Sequence, residues 1–238
     1  MSTPATPAAS IKPNALHHLA LSTGDIRSQI AFFSDVLGME LMALYWMHGA
    51  EKTVHGFLKL NDRCAVAFVQ TPQNRSIARV IGVTHPGTAL NSSAPGTMQH
   101  LALNVDSEPD LLNMRDRIRS RGINVVGPMD HGFCKSIYFA GPEDLSLEVS
   151  TYTGELTPDR WVDPEVMAFT GVTAEDLERF VRPAAYAGEG GAVPQPAYDP
   201  DKPHPHFPAD IYQNILSMPD ALFTEVTREA EPPVKAAV

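Results

Sequence analysis

The sequence predicts an α+β fold of two paired βαβββ modules followed by an irregular C-terminal extension. Three observations predict it. The run His18-Leu19-Ala20-Leu21-Ser22-Thr23 reappears 82 positions later as His100-Leu101-Ala102-Leu103-Asn104-Val105, and both copies alternate as half-buried strands do. Each copy is followed by one helix-like apolar period and then by three strand-like stretches. Two copies at so long a period exclude a solenoid or a propeller and fit an internal duplication.

In the first copy a helix is expected over residues 25–37, with Ile26, Ile30, Phe33 and Leu37 on one face, Asp25 at its start and Gly38 as its stop. Strands are expected over 40–47, 54–60 and 64–70. In the second copy the helix is expected over 108–121, with Leu111, Leu112, Arg115 and Ile118 toward the buried side, and strands over 123–127, 134–140 and 145–152. Residues 71–97, punctuated by Pro72, Gly82, Pro86, Gly87, Pro95 and Gly96, form a linker of the length that is often functional or mobile. The expected organisation is a disordered arm (1–13), a two-module metal-binding domain (14–152, with modules over 14–70 and 98–152) and a partly helical extension (153–238). In the extension, helices are expected over 173–181, 211–216 and 221–228, and irregular chain over 184–208. Its apolar residues are too sparse for a core of its own, so it is expected to wrap the core or a partner subunit.

With 43% hydrophobic and 19% charged residues, the composition is ordinary for a globular protein and argues against overall disorder. A net charge of −10 argues against a nucleic-acid or anionic-membrane partner, which would favour a basic face. The N-terminal stretch lacks an apolar segment of signal-peptide length, and no apolar run reaches about 18 residues, so no membrane span and a cytoplasmic location are expected. Cys64 and Cys134 allow one disulfide but no disulfide framework.

His18 and His100 open equivalent strands, so a pseudo-twofold pairing of the modules points both imidazoles into one cleft. Neutral imidazole is a ligand for several divalent metals. Glu148 lies in the last strand between Leu147 and Val149. Placing an acid there costs several kcal/mol unless it is paired or binds a cation. A lone histidine at a strand start is most often an ordinary hydrogen-bonded residue. Two in matched places, with an acid on the final strand, read as metal ligands. His17 falls on the opposite face by alternation, and its counterpart is Gln99. Phe68 is read as holding Glu148's place in module one, so the duplication supplies two imidazoles and one carboxylate, a facial set that leaves open positions. Phe68, Trp46, Met47, Phe133 and Phe139 are expected to line the cleft.

These residues, with Phe32-Phe33-Ser34-Asp35-Val36-Leu37-Gly38, resemble the vicinal-oxygen-chelate superfamily over residues 14–152. That group includes glyoxalase I, bleomycin-resistance proteins and type I extradiol dioxygenases. The frame His131, five residues, Ile137-Tyr138, Gly141-Pro142 and Glu148 is similar to the extradiol signature, departing from it at Met129, Gly141 and Asp144. The resemblance implies a non-haem Fe(II) enzyme, with Fe(II) ahead of Mn(II) or Zn(II), that opens a catecholic ring with O2. Its metal ligands would be His18, His100 and Glu148. His131 and Tyr138 would act in catalysis and contact substrate, with Phe68 and Phe133 beside the ring. The family's further acid-base histidine is missing near Asn61-Asp62-Arg63-Cys64-Ala65, and His55 is the candidate substitute. Alternatives are a glyoxalase- or epimerase-like lyase or isomerase and a non-catalytic small-molecule binder. A homo-oligomer is expected from Trp161, Tyr198, Phe207 and Tyr212 in the extension.

Overall fold

The computed structural model describes residues 11–229 and 231–235, so most of the arm expected over 1–13 lies outside the described residues. The chain divides into two compact units. The larger, Ala15–Met47 with Glu51–Arg182, holds both βαβββ modules and runs past Tyr152. Module one comprises β1 (His18–Ser22), α1 (Ile26–Ala31), β2 (Glu40–Trp46), β3 (Val54–Asn61) and β4 (Cys64–Gln70). Module two comprises β5 (Leu101–Asn104), α2 (Glu108–Ser120), β6 (Val126–Asp130), β7 (Cys134–Ala140) and β8 (Ser146–Tyr152). Each forms a four-stranded sheet of the same order, β1-β4-β3-β2 and β5-β8-β7-β6, with its first strand parallel to its last. The fold is therefore the duplicated βαβββ architecture. Three short helices follow: α3 (Pro158–Trp161), α4 (Pro164–Thr170) and α5 (Ala174–Val181).

Local chemistry sets the element ends. The Asp25 side chain caps α1 by accepting from the Ser28 N–H, as Ser107 caps α2 through the Asp110 N–H. After Ala31 the first helix widens into a π-helical turn, Phe32–Val36, which brings Phe33 and Val36 together into the core. Gly38 ends it with φ +81, and the Arg117 guanidinium of α2 lies 2.9 Å from where a Cβ would sit, too close for one. Arg117 Nε also donates to Val36 O at 2.7 Å, tying the helix of one module to the other.

The strand expected over 123–127 is instead β6, Val126–Asp130. Ile123 and Val125 do enter the core, but the ladder begins only at Val126, paired with Tyr138. Pro128, which lacks an N–H, is tolerated because β6 is an edge strand.

Leu19, Leu21, Val66, Phe68, Leu101, Leu103, Leu147 and Val149 all join one core with Phe33, Leu111 and Ile118, so both sheets bury their helix-facing sides in a common interior. Glu143 also joins the modules. Its carboxylate accepts from Thr23 Oγ1 (2.6 Å), the Gly24 N–H (2.8 Å) and Gln29 Nε2 (2.9 Å). Among the described residues none of the buried side chains lies beyond Thr151. Both cysteines are free thiols, and among the described residues no helix is long and apolar enough to cross a membrane.

The smaller unit gathers residues 11–14, His48–Ala50 and the chain from Pro183, with α6 (Ala209–Ser217) and α7 (Asp220–Val226). Within it the Ile11 N–H donates to Tyr186 O at 2.7 Å, and His48 meets Glu229 at 4.0 Å. Tyr198, His204, Phe207 and Tyr212 form a small ring cluster.

Burial of Glu143 opposes its charge, but the donors Thr23, Gln29 and Gly24, with the Arg79 guanidinium, outweigh it and hold the carboxyl below its ordinary value. Its stabilisation is present above the ordinary carboxylate pKa and is lost as pH falls through the lower folded value. Glu143→Gln is expected to lower stability near neutral pH by about 1–3 kcal/mol. It should also flatten the acid limb of the stability profile, as read by denaturant unfolding across pH 3–7. Unchanged stability and an unchanged profile would refute the latch.

Candidate functional site

The pairing register places each predicted residue. On β1 and β5 the leucines face the core, leaving His18 and Ala20, and His100 and Ala102, on the opposite face. β5 aligns Ala102 with Glu148, and β1 aligns Ala20 with Ala67. Glu148's counterpart is therefore Ala67, not Phe68. Residues 18 and 100 are 82 positions apart but 67 and 148 only 81, and a slip of one residue exchanges the faces of a strand. Phe68 points into the core, 0% exposed, with its ring 5.1 Å from that of Phe33, and it lines no cleft.

In module two the structure brings four predicted residues together. His100 Nε2 lies 2.9 Å from Glu148 Oε2. The other carboxylate oxygen accepts from Ser150 Oγ, which in turn meets Ser136 Oγ at 2.8 Å. Tyr138 sits opposite Glu148 on β7, and its hydroxyl meets His131 Nε2 at 2.9 Å. Burial, then the nearby Glu148 carboxylate, raise the Tyr138 pKa, so its phenol stays protonated through neutral pH. His100, His131 and Tyr138 border a largely apolar cavity of about 520 Å³, lined also by Val126, Met129 and the linker segment 87–90.

His18 lies on the corresponding face of module one. Its Nδ1 is 2.9 Å from His17 Nδ1, and its ring packs near Phe57 (5.4 Å) and His55 (6.3 Å). His55 is buried and its Nε2 has no hydrogen-bond partner. Burial, then the His18 charge, keep its pKa low. Among the described residues no group of three or more histidine, cysteine, aspartate or glutamate side chains is gathered closely enough to hold a metal ion. His100 and Glu148 are thus joined directly, while the contacts of His18 are with module one.

Two further expectations are corrected. Phe133 turns its ring onto Trp161 (4.9 Å) and is not part of the cavity wall, and Trp46 is 67% exposed on the edge strand β2. Phe139 does border the cavity. Sequence reading missed Phe57 and Tyr45, whose rings stack 6.3 Å apart beside His55. The alternation of β3, which puts His55 and Phe57 on one face, was the available signal. It also missed Gln99, whose Oε1 meets His100 Nδ1.

Glu148 tests the fit of a metal. It is 5% exposed, and no lysine or arginine among the described residues pairs with it; its partners are an imidazole and a hydroxyl. A carboxylate so buried requires a proton or a cation nearby. An imidazole and a carboxylate converging on one point are a donor set that suits a divalent metal.

These features define a paired-module protein with a histidine–carboxylate cleft. The chain belongs to the Glyoxalase/Bleomycin resistance protein/Dioxygenase superfamily, whose sequence pattern matches residues 15–149. It is 28% identical over 137 residues to a probable lactoylglutathione lyase of Synechocystis sp., covering 56% of this chain and 92% of that protein. It is 33% identical over 76 residues to biphenyl-2,3-diol 1,2-dioxygenase 2 of Rhodococcus globerulus, covering 30% of this chain and 38% of that one. A solved glyoxylase/bleomycin resistance protein/dioxygenase domain from Frankia sp. EAN1pec aligns with 59% of this chain and 99% of its own, at 13% identity and a TM-score of 0.46.

Phe68→Ala is expected to cost about 3–5 kcal/mol of stability, the range for emptying a core aromatic site. Ala67→Glu buries a carboxylate at a site that is 0% exposed and should destabilise the metal-free protein, a loss that an added divalent metal should partly restore in thermal unfolding if the substituted face is the cleft side. A stable Phe68→Ala variant with impaired ligand binding would show that the faces are assigned the wrong way round.

Proposed function

We propose that this chain is a divalent-metal-dependent extradiol-type dioxygenase that opens a catecholic ring with O2. One observation carries the reading: the His100–Glu148 pair and the His131–Tyr138 pair stand side by side, and three of their four side chains border one apolar cavity. His18, His100 and Glu148 are the proposed ligands, with Fe(II) the proposed metal. When bound, the iron supplies Lewis acidity toward two vicinal ring oxygens and the redox capacity that dioxygen chemistry requires.

The chain's own groups do the rest. The cavity wall of Val126, Met129 and Phe139 offers an apolar surface on which a flat ring can pack. Tyr138, protonated at neutral pH, presents a hydrogen-bond donor at its hydroxyl. His131 shares that proton through Nε2 and can return it. His55, buried and neutral with a vacant Nε2, is the proposed proton acceptor on module one's face. Ala67, where a four-ligand isomerase site would want an acid, supports a three-ligand site.

A glyoxalase-like lyase is the second reading, favoured by the probable lactoylglutathione lyase that matches over 92% of its own length. Anaerobic reconstitution with Fe(II), followed by oxygen uptake and the colour of ring-opened products with substituted catechols, separates the two. Glu148→Gln and His18→Ala are each expected to abolish both metal binding and turnover. Tyr138→Phe should retain iron while turnover falls about 10²–10⁴-fold. Formation of lactoylglutathione, with no oxygen uptake on any catechol, would favour the lyase and overturn the first reading.

A further inference from the structure

Gln99 occupies an unusual place. Its side-chain Nε2 donates to two backbone carbonyls of the linker, Thr88 O and Asn91 O, each at 3.2 Å, and its Oε1 faces His100 Nδ1. Carbonyl oxygens can only accept, so the amide nitrogen must lie on the linker side and the amide oxygen on the imidazole side. An oxygen there requires the proton of a neutral imidazole to sit on Nδ1. The lone pair of His100 then resides on Nε2, the atom 2.9 Å from Glu148 Oε2. Two acceptors at that distance repel unless a proton or a cation lies between them.

The equivalent place in module one is His17, 82 positions earlier, and its Nδ1 engages Nδ1 of His18 at 2.9 Å. In both modules, then, the residue before the strand histidine engages Nδ1 of the ring, and in module two this leaves Nε2 for Glu148. The two differ in one respect: Gln99 also grips a loop. Residues 87–90 border the cavity, and Leu90 is 94% exposed. The earlier linker is anchored separately, by Asn74 Nδ2 to Thr23 O and Val69 O (3.0 Å each) and by Arg79 Nε to Asp144 (3.0 Å). Gln99 is therefore a direct side-chain link between the loop at the cavity and the candidate ligand His100.

We infer that Gln99 is a positioning residue that sets the tautomer of His100 and couples the order of the 87–91 loop to the metal-binding edge of that ring. The metal arm of the test rests on the proposed function; the tautomer and loop arms do not.

Ring-nitrogen NMR of the metal-free protein, labelled at histidine, reads the tautomer. In the wild type, His100 is expected to carry a proton on Nδ1, with the second proton that the metal-free Nε2–Glu148 contact requires held between those two groups. Gln99→Ala should shift the Nδ1 proton toward Nε2, weaken Fe(II) binding about 10–100-fold in anaerobic chelator competition, and speed amide exchange over residues 87–91. Gln99→Glu keeps the acceptor but loses both donors. It should therefore retain the Nδ1 tautomer, hold Fe(II) within about threefold of the wild type on that account, and still loosen the loop. A Gln99→Ala protein that keeps both the wild-type tautomer and the wild-type metal affinity would overturn the inference. So would a Gln99→Glu protein whose tautomer matches that of Gln99→Ala. Failure of the wild type to bind any divalent metal would sink the proposed function, and the tautomer and exchange measurements would still decide the role of Gln99.

Discussion

A carboxylate held in a nearly dry sheet face must be compensated, and the rest of the site is organised around that requirement at Glu148. β8 is flanked by β5 and β7, so Glu148 is enclosed by strands on both sides. Leu147 and Val149, its neighbours in the chain, are committed to the core on the other face. What remains within reach is His100 across one strand boundary, Tyr138 across the other, and the Ser150 hydroxyl on its own strand. None carries a permanent positive charge. Isolated burial of an ion is costly enough to unfold a marginal domain, so the sheet is built to accept a cation or a proton at this point.

The duplication explains why such a place exists. Two modules of the same strand order share one interior, and their alternation leaves a matched face on each. On module two that face carries the acid, the histidines and the tyrosine; on module one it carries His18, His55, Phe57 and Tyr45. The latch through Glu143 and the contact of Arg117 with Val36 hold the modules in one body. The left-handed backbone at Glu143 and Asp144, φ +57 and +61, aims the first carboxylate at Thr23 and the second at Arg79. Backbone strain of this kind persists where surrounding contacts overdetermine it.

The strands of the duplication were legible because short apolar runs bounded by turn residues are local signals: β4, after Asn61-Asp62 and before Pro72, and β7, between Gly132 and Gly141, fall on the residues the pattern predicts. The meeting of His100 with Glu148 was legible from the repeat; that His131 and Tyr138 bond to each other was not, since the signature spacing implied only that each meets a substrate. The register between strands was not. The one-residue difference between the repeat measured at the histidines and at the final strands put Phe68 in the cleft, when it belongs to the core. Phe133 was misplaced for a similar reason, since its partner Trp161 arrives from a later helix that no local pattern connects to it. The role of Gln99 was invisible because it depends on two carbonyls from a loop that sequence alone cannot fold back onto the strand.

Anomalous diffraction from crystals grown anaerobically with Fe(II), recorded on both sides of the iron absorption edge, tests the central claim most directly. The account predicts a single peak per chain, shared by His100 Nε2, a Glu148 carboxylate oxygen and His18. A fully bound metal located elsewhere, or no peak at Glu148 while its carboxylate stays buried against His100, would contradict it.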